Sequence, residues 1–137
     1  MITQEIKDFL KERYDLIIPE TQPEPAGYNV LVLPLCARKK VGSIILPSDT
    51  EEKSRLRSVV ALVLTIGKDA YDKERYPNGP WCQVGDFILL DRDSGNKFTI
   101  LSDLDKSDKI GMRLIADDQV KAKLNSFEDI SRVELSL

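Results

Sequence analysis

The chain has 137 residues, of which 42% are apolar and 31% charged, and its formal net charge is −3. This composition is typical of one globular domain with a real core and excludes a disordered chain. No apolar run approaches the roughly 18 residues of a membrane-spanning helix. The longest basic cluster is Arg38-Lys39-Lys40, which is too short to indicate a nucleic-acid-binding surface.

The side chains that most often carry catalysis are scarce. The chain contains no histidine, the commonest general base and metal ligand. Cys36 and Cys82 are far apart and form no C-x-x-C pair, so we predict reduced thiols in or near the core and no zinc site. No glycine-rich phosphate loop is present. We therefore predict a protein that is not an enzyme, with no catalytic residue, metal or cofactor.

The N-terminal residues 3–14 have the periodicity of an amphipathic helix. Thr3 is a candidate N-cap, and the apolar side chains that share one face are Ile2, Ile6, Phe9 and Leu10. A frayed terminus is the alternative that this pattern leaves open. The segment lacks the basic start and apolar centre of a signal peptide, so we expect a cytoplasmic protein. Three prolines in residues 19–27 then predict an extended linker, after which a globular unit starts at Tyr28.

From Tyr28 onwards the pattern is that of β-strands. The predicted strands are 30–33, 58–66, 87–90, 96–101, 112–115 and 119–124. Residues 58–66 are apolar on both faces and should form the most buried strand, whereas 119–124 alternate polar and apolar side chains. Pro34 indicates either an edge strand or a strand end. Short strands separated by Gly, Asp and Ser turns indicate a small all-β barrel or sandwich.

Two other segments lie outside this pattern. Residues 68–83 are polar and contain the turn signal Asn78-Gly79, which predicts a protruding flap pinned by Trp81. In the tail, Ser126 and Asp129 have the spacing of a capping box, followed by apolar residues at helical spacing. A terminal helix and a loosely attached tail both fit this last segment.

The segment Gly42-Ser43-Ile44-Ile45-Leu46-Pro47 places three large aliphatic side chains inside a polar, charge-rich run. Such a run cannot bury enough apolar surface to order itself. The tripeptide Ile44-Ile45-Leu46 is therefore either a short core strand or a segment held out for a partner.

The order of these segments resembles that of the GroES-type co-chaperonins. The segments that carry the resemblance are Gly42–Pro47, Lys53-Ser54, Val59-Val60-Ala61, Val84-Gly85-Asp86 and Asp117-Asp118-Gln119-Val120. The resemblance covers roughly residues 28–124. Residues 76–86 and 113–118 look more like the versions carried by tailed bacteriophages than like the bacterial protein.

The resemblance implies an all-β, GroES-like barrel over residues 28–124. The N-terminal extension over 1–27 and the C-terminal tail over 125–137, for which the sequence predicts short helices, lie outside the shared region. It implies a mobile loop from about Arg38 to Leu56, and a roof hairpin formed by residues 68–83. The strands near 30–33 and 120–124 would lie at outer edges and pair between neighbouring subunits.

The implied function is a heptameric ring that caps a GroEL-type chaperonin in the cytoplasm, encloses an unfolded substrate such as a phage capsid protein, and binds neither nucleic acid nor membrane. Ile44, Ile45 and Leu46 would dock on the chaperonin, flanked in the mobile loop by Gly42, Ser43 and Pro47. Ser43 stands where the family commonly has a second glycine. A structural protein that uses the same barrel in a virion, with the tripeptide buried permanently in an interface, remains the alternative.

Overall fold

One helix and eight strands make up the regular structure of the computed structural model, which describes residues 2–35, 60–101, 109–126, 128 and 130, and the backbone of 40–41 and 44–45. The elements are α1 (Gln4–Tyr14), β1 (Asn29–Pro34), β2 (Lys40–Val41), β3 (Ile44–Ile45), β4 (Val60–Ile66), β5 (Phe87–Leu90), β6 (Asn96–Leu101), β7 (Lys109–Ala116), a 3-10 turn (Asp117–Gln119) and β8 (Val120–Lys123). No helix among these residues is long and apolar enough to cross a membrane.

Six of the strands form one antiparallel sheet in the order β6-β7-β1-β4-β5-β8. The predicted predominance of β-structure is confirmed. Within the described segments β6 and β8 are its two edges and do not pair with each other, so the sheet is open and not the closed barrel that was expected.

The first strand lies in the middle of this sheet. Residues 29–32 pair with β7, and residues 30–34 pair with β4. The expectation that 30–33 lie at an outer edge is therefore wrong, whereas β8 does lie at an edge. Pro34 is the last residue of β1, beyond the end of the β7 ladder, which is a position that tolerates its missing N–H.

Both faces of the sheet are buried, because successive side chains of the central strands point to opposite faces and nearly all are apolar. Strand side chains on the first face are Leu31, Leu33, Val60, Leu62, Leu64, Phe87, Ile110 and Met112. Those on the second face are Val30, Val32, Ala61, Val63, Ile88, Leu90 and Ile115. The prediction that residues 58–66 are buried on both faces is confirmed for β4.

Helix α1 covers the first face. Thr3 caps it, because the Thr3 hydroxyl accepts a hydrogen bond from the Ile6 N–H at 3.3 Å, and Ile6 and Leu10 are buried against the sheet. The helix prediction is confirmed, and the frayed terminus is excluded. Burying two such side chains contributes about 1.5–3 kcal/mol each, so the helix is part of the core.

The proline-rich segment joins α1 to β1 without regular structure, as predicted, yet it lies against the sheet. Pro19 and Pro25 are buried. The Gln22 side-chain amide donates to the Pro19 carbonyl at 2.9 Å and accepts from the Thr65 hydroxyl of β4 at 3.4 Å. The segment is thus a tether fixed along the domain surface.

The connection between β4 and β5 covers the second face. Residues 67–86, all of which the structure describes, form turns and contain no strand. The predicted roof hairpin is therefore absent there. The predicted protruding flap is also wrong, because Tyr71, Tyr76 and Cys82 are buried on the second face. Trp81 remains 47% exposed.

The C-terminal segment returns to the first face. The Ser126 hydroxyl accepts a hydrogen bond from the Glu128 N–H at 3.2 Å, and Ile130 is buried with the helix side chains. The predicted capping box of Ser126 and Asp129 stays a prediction, because this bond involves Ser126 alone. Phe127, Asp129 and residues 131–137 lie outside the described residues, so the terminal helix stays a prediction.

Candidate functional site

The segment singled out in the sequence contains a small hairpin. Lys40 pairs with Ile45 and Val41 pairs with Ile44, in an antiparallel ladder. The connecting residues, Gly42 and Ser43, lie outside the described part of the chain. A Gly-Ser pair between two strands is a sequence signal for a two-residue hairpin, and it would have predicted this pairing.

This hairpin is a sheet of its own. The backbone of Ile44 and Ile45 pairs with β2 and with no described strand of the six-stranded sheet. The backbone of Ile44 and Ile45 is therefore not part of the six-stranded sheet. The choice between a short core strand and a segment held out for a partner stays a prediction. Leu46 and Pro47, and the side chains of Ile44 and Ile45, lie outside the described residues.

A second constellation, which the sequence did not reveal, is centred on Asp117. Asp117 follows β7 and is only 1% exposed. Its Oδ1 accepts hydrogen bonds from the Tyr76 hydroxyl at 2.9 Å and from Arg75 at 3.2 Å. Its Oδ2 accepts from Arg75 at 2.5 Å and from the Tyr71 N–H at 3.0 Å. Four donors thus saturate the two carboxylate oxygens.

The backbone of Asp117 joins the same network. Its N–H donates to the Tyr28 carbonyl at 3.0 Å, and its carbonyl accepts from the Tyr71 hydroxyl at 2.7 Å. The Tyr71 hydroxyl also lies 3.5 Å from the Cys82 sulfur. The network therefore fixes the connection between β4 and β5 onto the end of β7.

The pKa values follow from this geometry. Burial would raise the pKa of Asp117, but the hydrogen bonds from Arg75, Tyr71 and Tyr76 outweigh it and hold that pKa below its usual value. Burial, followed by the bond to Asp117, raises the pKa of Tyr76 to about 12. The carboxylate is ionised and fully bonded at neutral pH, which suits a structural anchor better than a proton-transfer group.

Burial also raises the pKa of the Cys82 thiol. Cys82 is free and 1% exposed, as predicted for a reduced core thiol. A thiol that stays protonated at neutral pH is a poor nucleophile and a poor metal ligand. Cys36 lies outside the described residues.

The Asp117 network reaches the surface through a row of stacked groups. The Arg75 guanidinium carbon lies 3.9 Å from the centroid of the Tyr28 ring and 5.0 Å from that of Tyr76. The Trp81 ring meets Tyr76 edge-on at 5.0 Å. Tyr28 is 52% exposed and Trp81 47% exposed, so two exposed rings flank the Arg75–Tyr76 pair that binds the buried carboxylate.

The described part of the chain contains no group of three or more His, Cys, Asp or Glu side chains that could hold a metal ion. No protein-family model matches the chain, and no curated protein matches it.

Proposed function

We propose that the chain is a phage-encoded co-chaperonin of the GroES type, one subunit of a ring-shaped lid for a GroEL-type chaperonin of the host cytoplasm. The observation that supports this best is the position of Ile44 and Ile45. They lie on a hairpin outside the main sheet, within a segment whose flanking residues are polar and charged. An apolar pair at such a place suits a segment that docks on a partner.

The energetics of docking suit a lid that binds and releases. Burying Ile44, Ile45 and Leu46 on a partner would contribute about 1.5–3 kcal/mol for each side chain. Ordering the backbone costs about 1–2 kcal/mol per residue, although the β2–β3 pairing meets part of that cost in advance. One loop therefore binds weakly. Several loops on one ring bind firmly, because each later contact gains effective concentration.

The ring in this proposal is a heptamer in which each subunit has the open six-stranded sheet described above. The open edge at β8 is consistent with it, since Val120–Lys123 pairs with β5 on one side only among the described strands. An uncovered strand edge offers backbone groups to a neighbouring chain. A ring arises when such a contact is heterologous and its rotation closes. The substrate enclosed by the lid would be an unfolded protein such as a phage capsid protein.

Ile45→Asp tests the proposal. A carboxylate on each loop must lose its hydration on an apolar docking surface, at a cost of several kcal/mol per loop. We expect the variant to lose co-migration with a GroEL-type chaperonin and ATP in native mass spectrometry. Its circular dichroism and free oligomeric state should match those of the wild type.

The matched control is Ile17→Asp, which changes an isoleucine that is 41% exposed outside the hairpin. This variant should still be captured. Capture of Ile45→Asp would show that the docking residues are misassigned, and failure of the wild type to bind any GroEL-type chaperonin would refute the proposed function. A stable folded monomer at micromolar concentration would refute the ring.

A further inference from the structure

A rigid aromatic surface lies on the side of the domain formed by the β4–β5 connection. We call Tyr28, Arg75 and Trp81 the aromatic platform. All three are exposed, with the Arg75 side chain at 38%. They form a continuous row, because the buried ring of Tyr76 lies between Arg75 and Trp81, 5.0 Å from each. Tyr28 and Trp81 are two of the four large apolar side chains exposed in the described part of the chain.

Hydrogen bonds to the buried Asp117 carboxylate fix the central groups of the platform. Asp117 binds the Arg75 guanidinium through both carboxylate oxygens, and it also accepts a bond from the Tyr76 hydroxyl. Binding would therefore cost little conformational entropy at Arg75 and Tyr76, the two side chains against which the exposed rings of Tyr28 and Trp81 pack. Trp, Tyr and Arg are also the residue types that carry most binding energy at protein interfaces.

The charge around the rings is negative. The positive charge of Arg75 is offset by Asp117 and by Asp72, whose Oδ1 lies 2.6 Å from the Arg75 Nε. Asp118 is exposed beside Asp117 and adds a further negative charge. An acidic ligand would be repelled here, whereas a basic side chain at the margin of the platform would be attracted.

A groove of about 320 Å³ is lined by Glu24, Pro25, Ala26, Gly27, Lys68 and Asp69. Gly27 immediately precedes Tyr28 in the chain, so one wall of the groove ends one residue before the platform begins. Gly27 has a φ of +59°, and the space beside its Cα is open. Two carboxylates against one ammonium make this groove acidic as well.

We propose that the aromatic platform and the groove beside it bind an extended, proline-containing peptide segment that carries basic residues. Proline rings pack well on exposed Tyr and Trp faces, and a polyproline II helix is already ordered before it binds. The row consists of successive contacts of 3.9, 5.0 and 5.0 Å, so at about 3.1 Å per residue a peptide of four or five residues is long enough to span it. The basic residues then lie beside Asp72 and Asp118 or beside Glu24 and Asp69. This inference does not rest on the co-chaperonin proposal.

The only tryptophan of the chain is Trp81, so its fluorescence reports directly on the platform. The probe is a blocked hexapeptide with arginine at each end and four prolines between. We expect a saturable change in Trp81 emission. Two control peptides, one with glutamate in place of arginine and one with glycine in place of proline, should bind at least about tenfold more weakly.

Two variants locate the site. Tyr28→Ala should weaken binding of the arginine-proline peptide at least about fivefold, with an unchanged circular dichroism spectrum. Leu101→Ala removes a side chain that is 53% exposed on β6 and should leave binding unchanged.

Three results would overturn the proposal. The first is the absence of any saturable change, and the second is equal binding of either control peptide. The third is a Trp81 emission that changes with protein concentration alone, because that would identify the platform as a contact between copies of the chain.

Discussion

Replacing Asp117 with asparagine should destabilise the protein strongly while changing its shape very little. The asparagine side chain is almost isosteric with aspartate. However, it carries one oxygen instead of two, and its amide group would face hydrogen-bond donors. Of the four donors now bound, the Tyr71 N–H and the Tyr76 hydroxyl belong to buried residues. The single amide oxygen can accept from only one of these two donors, and the amide nitrogen then faces either the Tyr71 N–H or a Tyr76 hydroxyl that must turn to accept.

The size of the effect follows from this count. A hydrogen bond to a charged group contributes about 1.5–3 kcal/mol. The two bonds from Arg75 count for less, because its side chain is 38% exposed and water can replace the carboxylate. We therefore expect Asp117→Asn to lower the free energy of unfolding by about 2–4 kcal/mol. The control is the exposed neighbour Asp118. Asp118→Asn should change the free energy of unfolding by less than about 0.5 kcal/mol.

The same substitution should alter the acid dependence of stability. The pKa of Asp117 is lower in the folded state than its ordinary value of 3.8. The unfolded chain therefore binds the proton first as the pH falls. The stability contributed by the carboxylate is fully present above the ordinary pKa and is lost as the pH falls through the folded-state pKa. The difference between wild type and Asp117→Asn should shrink below pH 3.8.

Urea denaturation followed by Trp81 fluorescence and by far-UV circular dichroism measures these changes. With an m-value of about 2 kcal/mol/M, in the middle of the usual range, the urea midpoint should fall by roughly 1–2 M for Asp117→Asn and barely move for Asp118→Asn. A loss below about 1 kcal/mol, or equal losses for the two variants, would refute the view that Asp117 anchors the β4–β5 connection.

Two further predictions concern the helix and one turn. Leu10→Ala should lower the free energy of unfolding, measured by urea denaturation, by about 2–5 kcal/mol, because Leu10 is fully buried against the sheet. The control is Lys7→Ala, which changes an exposed residue of the same helix. Equal losses for the two variants would mean that α1 is not part of the core. Gly95→Ala should cost more than about 2 kcal/mol, because a Cβ at its φ of +71° would lie 2.2 Å from the Leu114 carbonyl oxygen. The control is Gly27→Ala, at a residue that is also at positive φ but in open space, and it should lower the free energy of unfolding by only about 1 kcal/mol. Equal losses for the two glycine variants would show that the clash with Leu114 is not what makes Gly95→Ala destabilising.

Local sequence was enough to predict most of the regular elements. The cap at Thr3 and the helical spacing of Ile6 and Leu10 predicted α1, because capping and amphipathicity are properties of a few consecutive residues. The apolar run at 60–66 predicted a strand buried on both faces for the same reason. The Gly-Ser pair at 42–43 is a local hairpin signal of the same kind.

The order of the strands and the burial of the β4–β5 connection could not be predicted in this way. Residues 68–83 are mostly polar. Contacts with a distant part of the chain decide which few of their side chains are buried. Tyr71 and Tyr76 lie 46 and 41 residues from Asp117. No local pattern relates residues at such separations.

The sequence by itself therefore determined the class of the fold, the extent of the helix and the main strands, and the apolar tripeptide that motivates the proposed function. Only the tertiary structure decided that β1 is central, that α1 belongs to the core, and that two exposed rings flank the Arg75–Tyr76 pair that binds Asp117. The physical reason is that propensity and periodicity act over a few residues, whereas strand order and buried polar bonding depend on which distant segments bury each other.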